Sequence, residues 1–240
     1  MLHTTEGIVL HSFKYGDTSL VSRIFVPEYG LQSYIVKGVR KSRSRMKPAL
    51  FQPLTLVNMV AYHKEKEGLQ NIKEIRCSHP FKSITTDIRK TSIAVFMAEV
   101  MVNAFRNQES NPGLFHFVRN KIVQLDNTQE QIADFHLQFM LHLAGWLGFS
   151  PARNLSEKNP YFSLLEGTYQ SGLHGADFLD EKQSRLFFAL SDTSNVIPYV
   201  PGMSSALRRE LLHKILKYYK IHLEGFKDLK SLDTLEAVFH

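Results

Sequence analysis

Apolar and polar positions change their rhythm once along this chain. Over roughly the first 80 residues they alternate with a period near two; from residue 85 onward they recur every three or four residues. Residues 7–15 (Gly-Ile-Val-Leu-His-Ser-Phe-Lys-Tyr) are β-branched and aromatic and close on Gly16-Asp17, which predicts a strand and a turn. Residues 20–26 form a second run that stops at Pro27-Glu28-Tyr29-Gly30, and residues 31–36 a third. A fourth run covers residues 54–62, and a weaker fifth, carrying Leu69, Ile72 and Ile75, covers residues 69–76. Too many of these runs are apolar on both sides for an open sheet with one wet face. Closure also removes exposed strand edges. The expectation is a small five-stranded barrel over residues 1–80. The oligonucleotide-binding (OB) fold is the commonest barrel of that size, and an SH3-like barrel fits the same pattern.

The second rhythm predicts helices over residues 81–240. Asp87 stands as N-cap before Ile93, Phe96, Met97, Val100, Met101 and Ala104, which share one helical face. Asn111-Pro112 opens a helix lined by Leu114, Phe115, Val118, Ile122 and Leu125. Thr128-Gln129-Glu130-Gln131 has the form of a capping box. The helix it would open is apolar nearly all round, from Ile132 to Trp146, and stops at Gly148; it is the expected centre of a bundle. Residues 149–178 are broken by Pro and Gly and hold at most two short extended pieces. Helix resumes over residues 181–190 and again, after Pro198 and Pro201, over residues 204–223. A short last helix begins near Ser231. The fold class is thus α+β, in two domains, with an irregular insertion in the second.

Composition narrows the function. At 43% hydrophobic residues, with 17 Phe, the 240-residue chain can bury a full core. It has no run of apolar residues long enough to span a bilayer, and its first residues lack the pattern of a signal peptide. A cytoplasmic protein without a membrane partner is expected. The single cysteine, Cys77, excludes an internal disulfide and any Cys-rich zinc site. The net charge of +6 is unevenly placed: residues 1–80 hold 12 Lys/Arg against 6 Asp/Glu, and the remainder holds 17 of each. The first third of the chain is the part built to meet a negative partner.

No catalytic constellation emerges. The chain lacks a G-x-x-x-x-G-K-[ST] loop, a G-x-G-x-x-G after a strand, an H-E-x-x-H helix and a G-x-S-x-G elbow. His136 and His142 lie on different sides of their helix and read as structural. Cys77, although Lys73 and Arg76 flank it, reads as a small apolar filler. The chain is not expected to be an enzyme.

What stands out is residues 37–47, Lys-Gly-Val-Arg-Lys-Ser-Arg-Ser-Arg-Met-Lys, where six of eleven residues are basic and none is acidic. Lys37, Arg40, Lys41, Arg43, Arg45 and Lys47 are held between two strands and can present many donors to a polyanion. Each neutralised phosphate releases condensed counterions, so six contacts to single-stranded DNA give log K a slope of about −4 against log[salt]. Arginine adds stacking and forked contacts. The plainer alternative is a solvated loop. The strand aromatics Phe13, Tyr15, Tyr34 and Tyr62 are possible stacking platforms, although core positions are the commoner fate of such residues. A weaker basic cluster, Arg208, Arg209, Lys214, Lys217 and Lys220, marks the long late helix; an ordinary solvated face is its plainer reading.

These features coincide with a known family. Glu6-Gly7-Ile8-Val9-Leu10, the turn Tyr15-Gly16-Asp17-Thr18, Gly30, Lys37-Gly38-Val39-Arg40-Lys41 with its basic tail, and Leu50-Phe51-Gln52-Pro53-Leu54 resemble the bacterial RecO DNA repair family. So do residues 143–151, from Leu-Ala-Gly-Trp to Ser-Pro, and the helix from Arg208 followed by Lys230-Ser231-Leu232. The resemblance implies an N-terminal OB fold and a helical C-terminal domain. It implies a recombination mediator that binds single- and double-stranded DNA, anneals complementary strands and acts with RecR to load RecA onto DNA coated by single-stranded DNA-binding protein (SSB). By the match, Lys37, Arg40 and Lys41 fall where relatives contact DNA; Arg43, Arg45 and Lys47 extend that surface by composition. Arg208, Arg209, Lys214 and Lys217 are the candidates for the acidic SSB tail. Some relatives carry a four-cysteine zinc site after Leu-Gly-Phe-x-Pro. Residues 152–175 here contain no Cys, so no zinc is expected, and Tyr161, Phe162, Leu164 and Tyr169 are expected to hold that segment by packing. Two other readings fit the same charges: an RNA-binding or translation-associated OB protein, and a non-catalytic assembly adaptor.

Overall fold

Five strands close into a barrel in the order β1-β2-β3-β5-β4, where β1 is Leu2–Tyr15, β2 Ser19–Val26, β3 Gly30–Val36, β4 Leu56–Tyr62 and β5 Gln70–Cys77. The computed structural model describes residues 2–39, 46–63, 68–105, 110–129, 131–173, 175–193 and 200–239. The strand order and the single parallel pairing, β3 with β5, are those of the OB fold. β1 makes closure possible by serving two neighbours. Its first half pairs with β4 from Leu2↔Tyr62 to Ile8↔Leu56, and its second half with β2 from Ile8↔Phe25 to Tyr15↔Ser19. A bulge between Val9 and His11 bends the strand where it changes partner.

Alternation fills the barrel. Leu20, Ile24 and Val26 of β2, Tyr34 and Val36 of β3, Val57, Met59 and Ala61 of β4, and Ile72 of β5 share one buried core. Gly7 is required inside it: a Cβ there would stand 2.7 Å from Cγ2 of Ile24. Phe51, at the end of a single 3-10 turn (Pro48–Phe51), belongs to the same core. Phe25 points the other way and packs against Phe105 and Phe115, with ring centroids 4.7 and 5.8 Å away.

Those two rings come from the next elements, α1 (Ile88–Ala104) with Phe105 at its C-cap, and α2 (Pro112–Asn127). Asp87 caps α1 by accepting from the Arg89 N–H, and Asn111 does the same for Leu114 at the start of α2. The apolar faces expected of both helices are buried. Asp126, fully buried in α2, accepts N–H bonds from Lys82, Ser83 and Ile84 at 2.9–3.1 Å and so ties the connection after β5 to the helix. The two compact units of the chain are residues 1–127 and 128–240. α1 and α2 therefore pack with the barrel, although the hydrophobic rhythm changes near residue 85.

The second unit centres on α3 (Phe135–Trp146), whose residues 135–144 are all buried. The helix begins later than the Thr128–Gln131 pattern indicates. Ile132 sits in a turn before it, and the residue at its N-cap position, Asp134, directs its carboxylate elsewhere. α4 (Glu181–Ser191) carries the true capping box, Asp180 with Gln183. α5 (Ser205–His222) is capped by Ser204, and α6 (Leu232–Phe239) ends the chain's regular structure. The segment after Gly148 forms a small hairpin, β6 (Tyr161–Ser163) with β7 (Thr168–Gln170). Phe162, Leu164 and Tyr169 are buried, and Tyr161 is half-buried. The Phe162 ring packs tilted against Phe187 at 4.5 Å and Tyr169 at 4.9 Å, while the Tyr218 hydroxyl donates to the Phe149 carbonyl. An aromatic core holds this segment. Among the described residues no group of three His, Cys, Asp or Glu could hold a metal ion, and no helix is long and apolar enough to cross a membrane.

Candidate nucleic-acid interface

The basic segment is anchored in the barrel at both ends. After β3 the chain turns through Lys37 and Gly38, whose φ of +70° suits glycine, and Val39 then enters the core at 1% exposure. On the far side Met46 packs against the same core, and Lys47 leads into the 3-10 turn that carries Phe51. Between these anchors lie Arg40, Lys41, Arg43 and Arg45, which are outside the described residues. Lys37 and Lys47 are exposed, and neither makes an ion pair among the described residues.

Two further cations border this region. Lys73 and Arg76 of β5 are exposed and, with Thr4, Met46, Asn58 and Glu74, line a cavity of about 720 Å³. Sequence reasoning treated them only as neighbours of Cys77, which is itself exposed rather than a core filler. The signal that finds them is register: β5 pairs with β3 only at Gln70 and Asn71, so the rest of its length lies beyond that ladder.

The strand aromatics divide unequally. Tyr34 lies inside the barrel at 2% exposure, and burial pushes its hydroxyl pKa up. Phe13, Tyr15 and Tyr62 are about half exposed, at 47%, 50% and 46%, contrary to the core expectation for such residues. In β1 the outward positions are His11, Phe13 and Tyr15, because Ser12 and Lys14 pair with the inward Ser22 and Leu20 of β2.

The late basic helix behaves differently. Arg208 is buried: its Nε donates to Asp134 Oδ1 at 2.6 Å, and Asp134 Oδ2 accepts the Val200 N–H at 2.7 Å. Arg209 stands 3.7 Å from Glu236. Lys214 donates to the carbonyls of Ala176 and Phe178, and Lys217 pairs with Asp177. The four side chains thus each meet an internal partner and do not form one patch. Lys217 does border a cavity of about 490 Å³, with His213, Lys220 and Lys227 at its rim and Leu216, Leu229 and Leu232 among its apolar lining. Asp228 and Asp233 also face it.

Comparison with known proteins places this architecture. The family model described as recombination protein O N terminal matches residues 1–81, the barrel, and that described as recombination protein O C terminal matches residues 85–155. The DNA repair protein RecO of Flavobacterium psychrophilum is 36% identical over 98% of each chain. Those of Christiangramia forsetii and Bacteroides fragilis are each 34% identical over the full length of both chains. With two family models on consecutive domains and relatives matched from end to end, the chain belongs to the RecO family.

Proposed function

We propose that this chain is a non-catalytic recombination mediator in DNA repair. It binds single- and double-stranded DNA through Lys37, Arg40, Lys41, Arg43, Arg45 and Lys47, anneals complementary strands, and with RecR helps RecA onto SSB-coated DNA. The observation that carries this reading is a run of six basic residues anchored on an OB barrel, whose described members Lys37 and Lys47 have no carboxylate partner among the described residues. Positive charge left without internal compensation is available to phosphate. Residues 1–80 would then be the DNA-binding domain and residues 81–240 the helical, partner-binding domain.

For the acidic SSB tail, Arg208 is left out, since its guanidinium is committed to Asp134. The cavity lined by Leu216, Leu229 and Leu232, with Lys227 at its rim outside the ion pairs that hold Lys217 and Lys220, offers an acidic tail an apolar lining and a cation. The test is annealing of complementary strands coated with SSB, without ATP. The wild-type protein accelerates it, and the variant with all six segment cations changed to Ala does not. Equal rates would remove the segment from the function, and tighter binding to RNA than to DNA of the same sequence would redirect the reading to RNA.

A further inference from the structure

We infer that Asp233, with Asp228, makes the leucine-lined cavity of the helical unit select an acidic peptide over nucleic acid. The inference rests on the partner-binding reading above and adds to it what keeps one polyanion out of a site meant for another.

The cavity lies between α5 and the segment that leads into α6. Leu216, Lys217 and Lys220 come from α5. The facing segment is fixed by its own apolar residues: the Phe226 ring packs against Tyr219, with centroids 5.2 Å apart, and Leu229 is buried. Leu229 and Leu232 line the cavity with Leu216, while Lys227, Asp228 and Asp233 stand exposed at it. Most of the charge here is already matched. Lys217 pairs with Asp177, Lys220 pairs with Asp228, and His213 Nε2 stands 2.9 Å from Glu236. Lys227 and Asp233 make no ion pair among the described residues. The charges left open at the cavity are therefore one cation and one carboxylate.

A peptide answers every feature of this lining. Its carboxylate meets Lys227, its apolar side chain meets the leucines, and its backbone N–H donates to Asp233. A phosphodiester chain does not. Its phosphate oxygens only accept, so they have nothing to give Asp233. A phosphate that reaches Lys227 also brings its neighbours, since a duplex carries about one charge per 1.7 Å of its axis. Those neighbours meet Asp228 and Asp233 as like charges. Selection against a wrong partner by repulsion is as real a source of specificity as attraction to the right one.

The test uses the full chain with the six segment cations changed to Ala, so that DNA held at the barrel does not mask a second site. Adding Asp228→Asn/Asp233→Asn to that chain is expected to tighten DNA binding at low salt on the order of tenfold, and a labelled acidic SSB-tail peptide displaces the DNA gained. A charge-matched control, Glu157→Gln/Glu166→Gln, changes two exposed carboxylates of the same unit and shifts DNA affinity by less than about twofold. Both pairs of substitutions melt near the temperature of their parent, because all four side chains are exposed. Failure of the peptide to bind the wild-type protein would overturn the partner-binding reading and the inference with it. A peptide that binds, combined with equal gains of DNA affinity in the two pairs, no gain in either, or a gain that the peptide does not displace, would overturn the inference alone.

Discussion

The barrel unit and the helical unit both carry concentrated basic charge, and they use it in opposite ways. On α5, Arg208 meets Asp134, Arg209 faces Glu236, Lys214 meets two carbonyls, Lys217 meets Asp177 and Lys220 meets Asp228. On the barrel, Lys37 and Lys47 stand exposed without such partners among the described residues. A charge count already sets the barrel segment above α5, with six cations in eleven residues and no acid against five on a helix that also carries Glu210. What separates them is compensation: a cation bonded to its own protein is architecture, and one that is not is available to a ligand.

The difference can be broken at its strongest point first. Asp134→Ala leaves the Arg208 guanidinium buried without its carboxylate and the Val200 N–H without its acceptor. The expected loss is about 3–5 kcal/mol of unfolding free energy in urea denaturation, with affinity for DNA unchanged under native conditions. If Asp134→Ala weakened DNA binding and spared stability, the assignment of α5 to architecture would fail. Next comes the opposite experiment. Replacing the six segment cations with Ala is expected to weaken single-stranded DNA binding on the order of a thousand-fold at 0.15 M salt and to flatten the salt slope from about −4 toward zero, with stability retained. Fluorescence anisotropy across a salt series reads both quantities.

The smallest effect tests whether the barrel unit, too, commits a carboxylate internally. Burial works to raise the pKa of Asp126, but three backbone N–H bonds and nearby His79 hold its carboxyl below the ordinary aspartate value of 3.8. A depressed folded-state value means stabilisation that is complete above pH 3.8 and is lost as the pH falls through the folded value. Asp126→Asn is therefore expected to lower stability by roughly 1–3 kcal/mol at neutral pH. Its deficit relative to wild type should shrink below pH 3.8. A deficit that stays constant into acid would mean that the carboxylate charge contributes nothing.

Much of this was legible locally. Period-two runs located all five strands, because alternation is what a filled barrel imposes on its strands. Asp87 announced the start of α1 by the chemistry of N–H capping, and Asn111-Pro112 that of α2 by a proline where no N–H is needed. What stayed hidden depends on distant partners. Residues 2–6 contain one large apolar side chain, yet they are strand because β4 pairs with them. Asp134 stands at the start of α3 without capping it by its side chain, since Arg208, 74 residues away, takes the carboxylate. The exposure of Phe13 and Tyr62 had no local signal either. Inward and outward are set by which neighbours fill the barrel, and a one-residue shift in register would reverse them.

Val39 and Met46, the two side chains that pin the basic segment to the core, bear on how this protein can vary. Between two fixed points, doubling the length of a connection costs only about 0.6 kcal/mol in closure entropy. The number and order of cations between the pins can therefore drift with little effect on folding, whereas the pins themselves are constrained by packing. Binding strength and barrel stability are thereby separable traits: selection can tune the grip on a polyanion by inserting, deleting or exchanging residues between positions 39 and 46 and leave the core untouched.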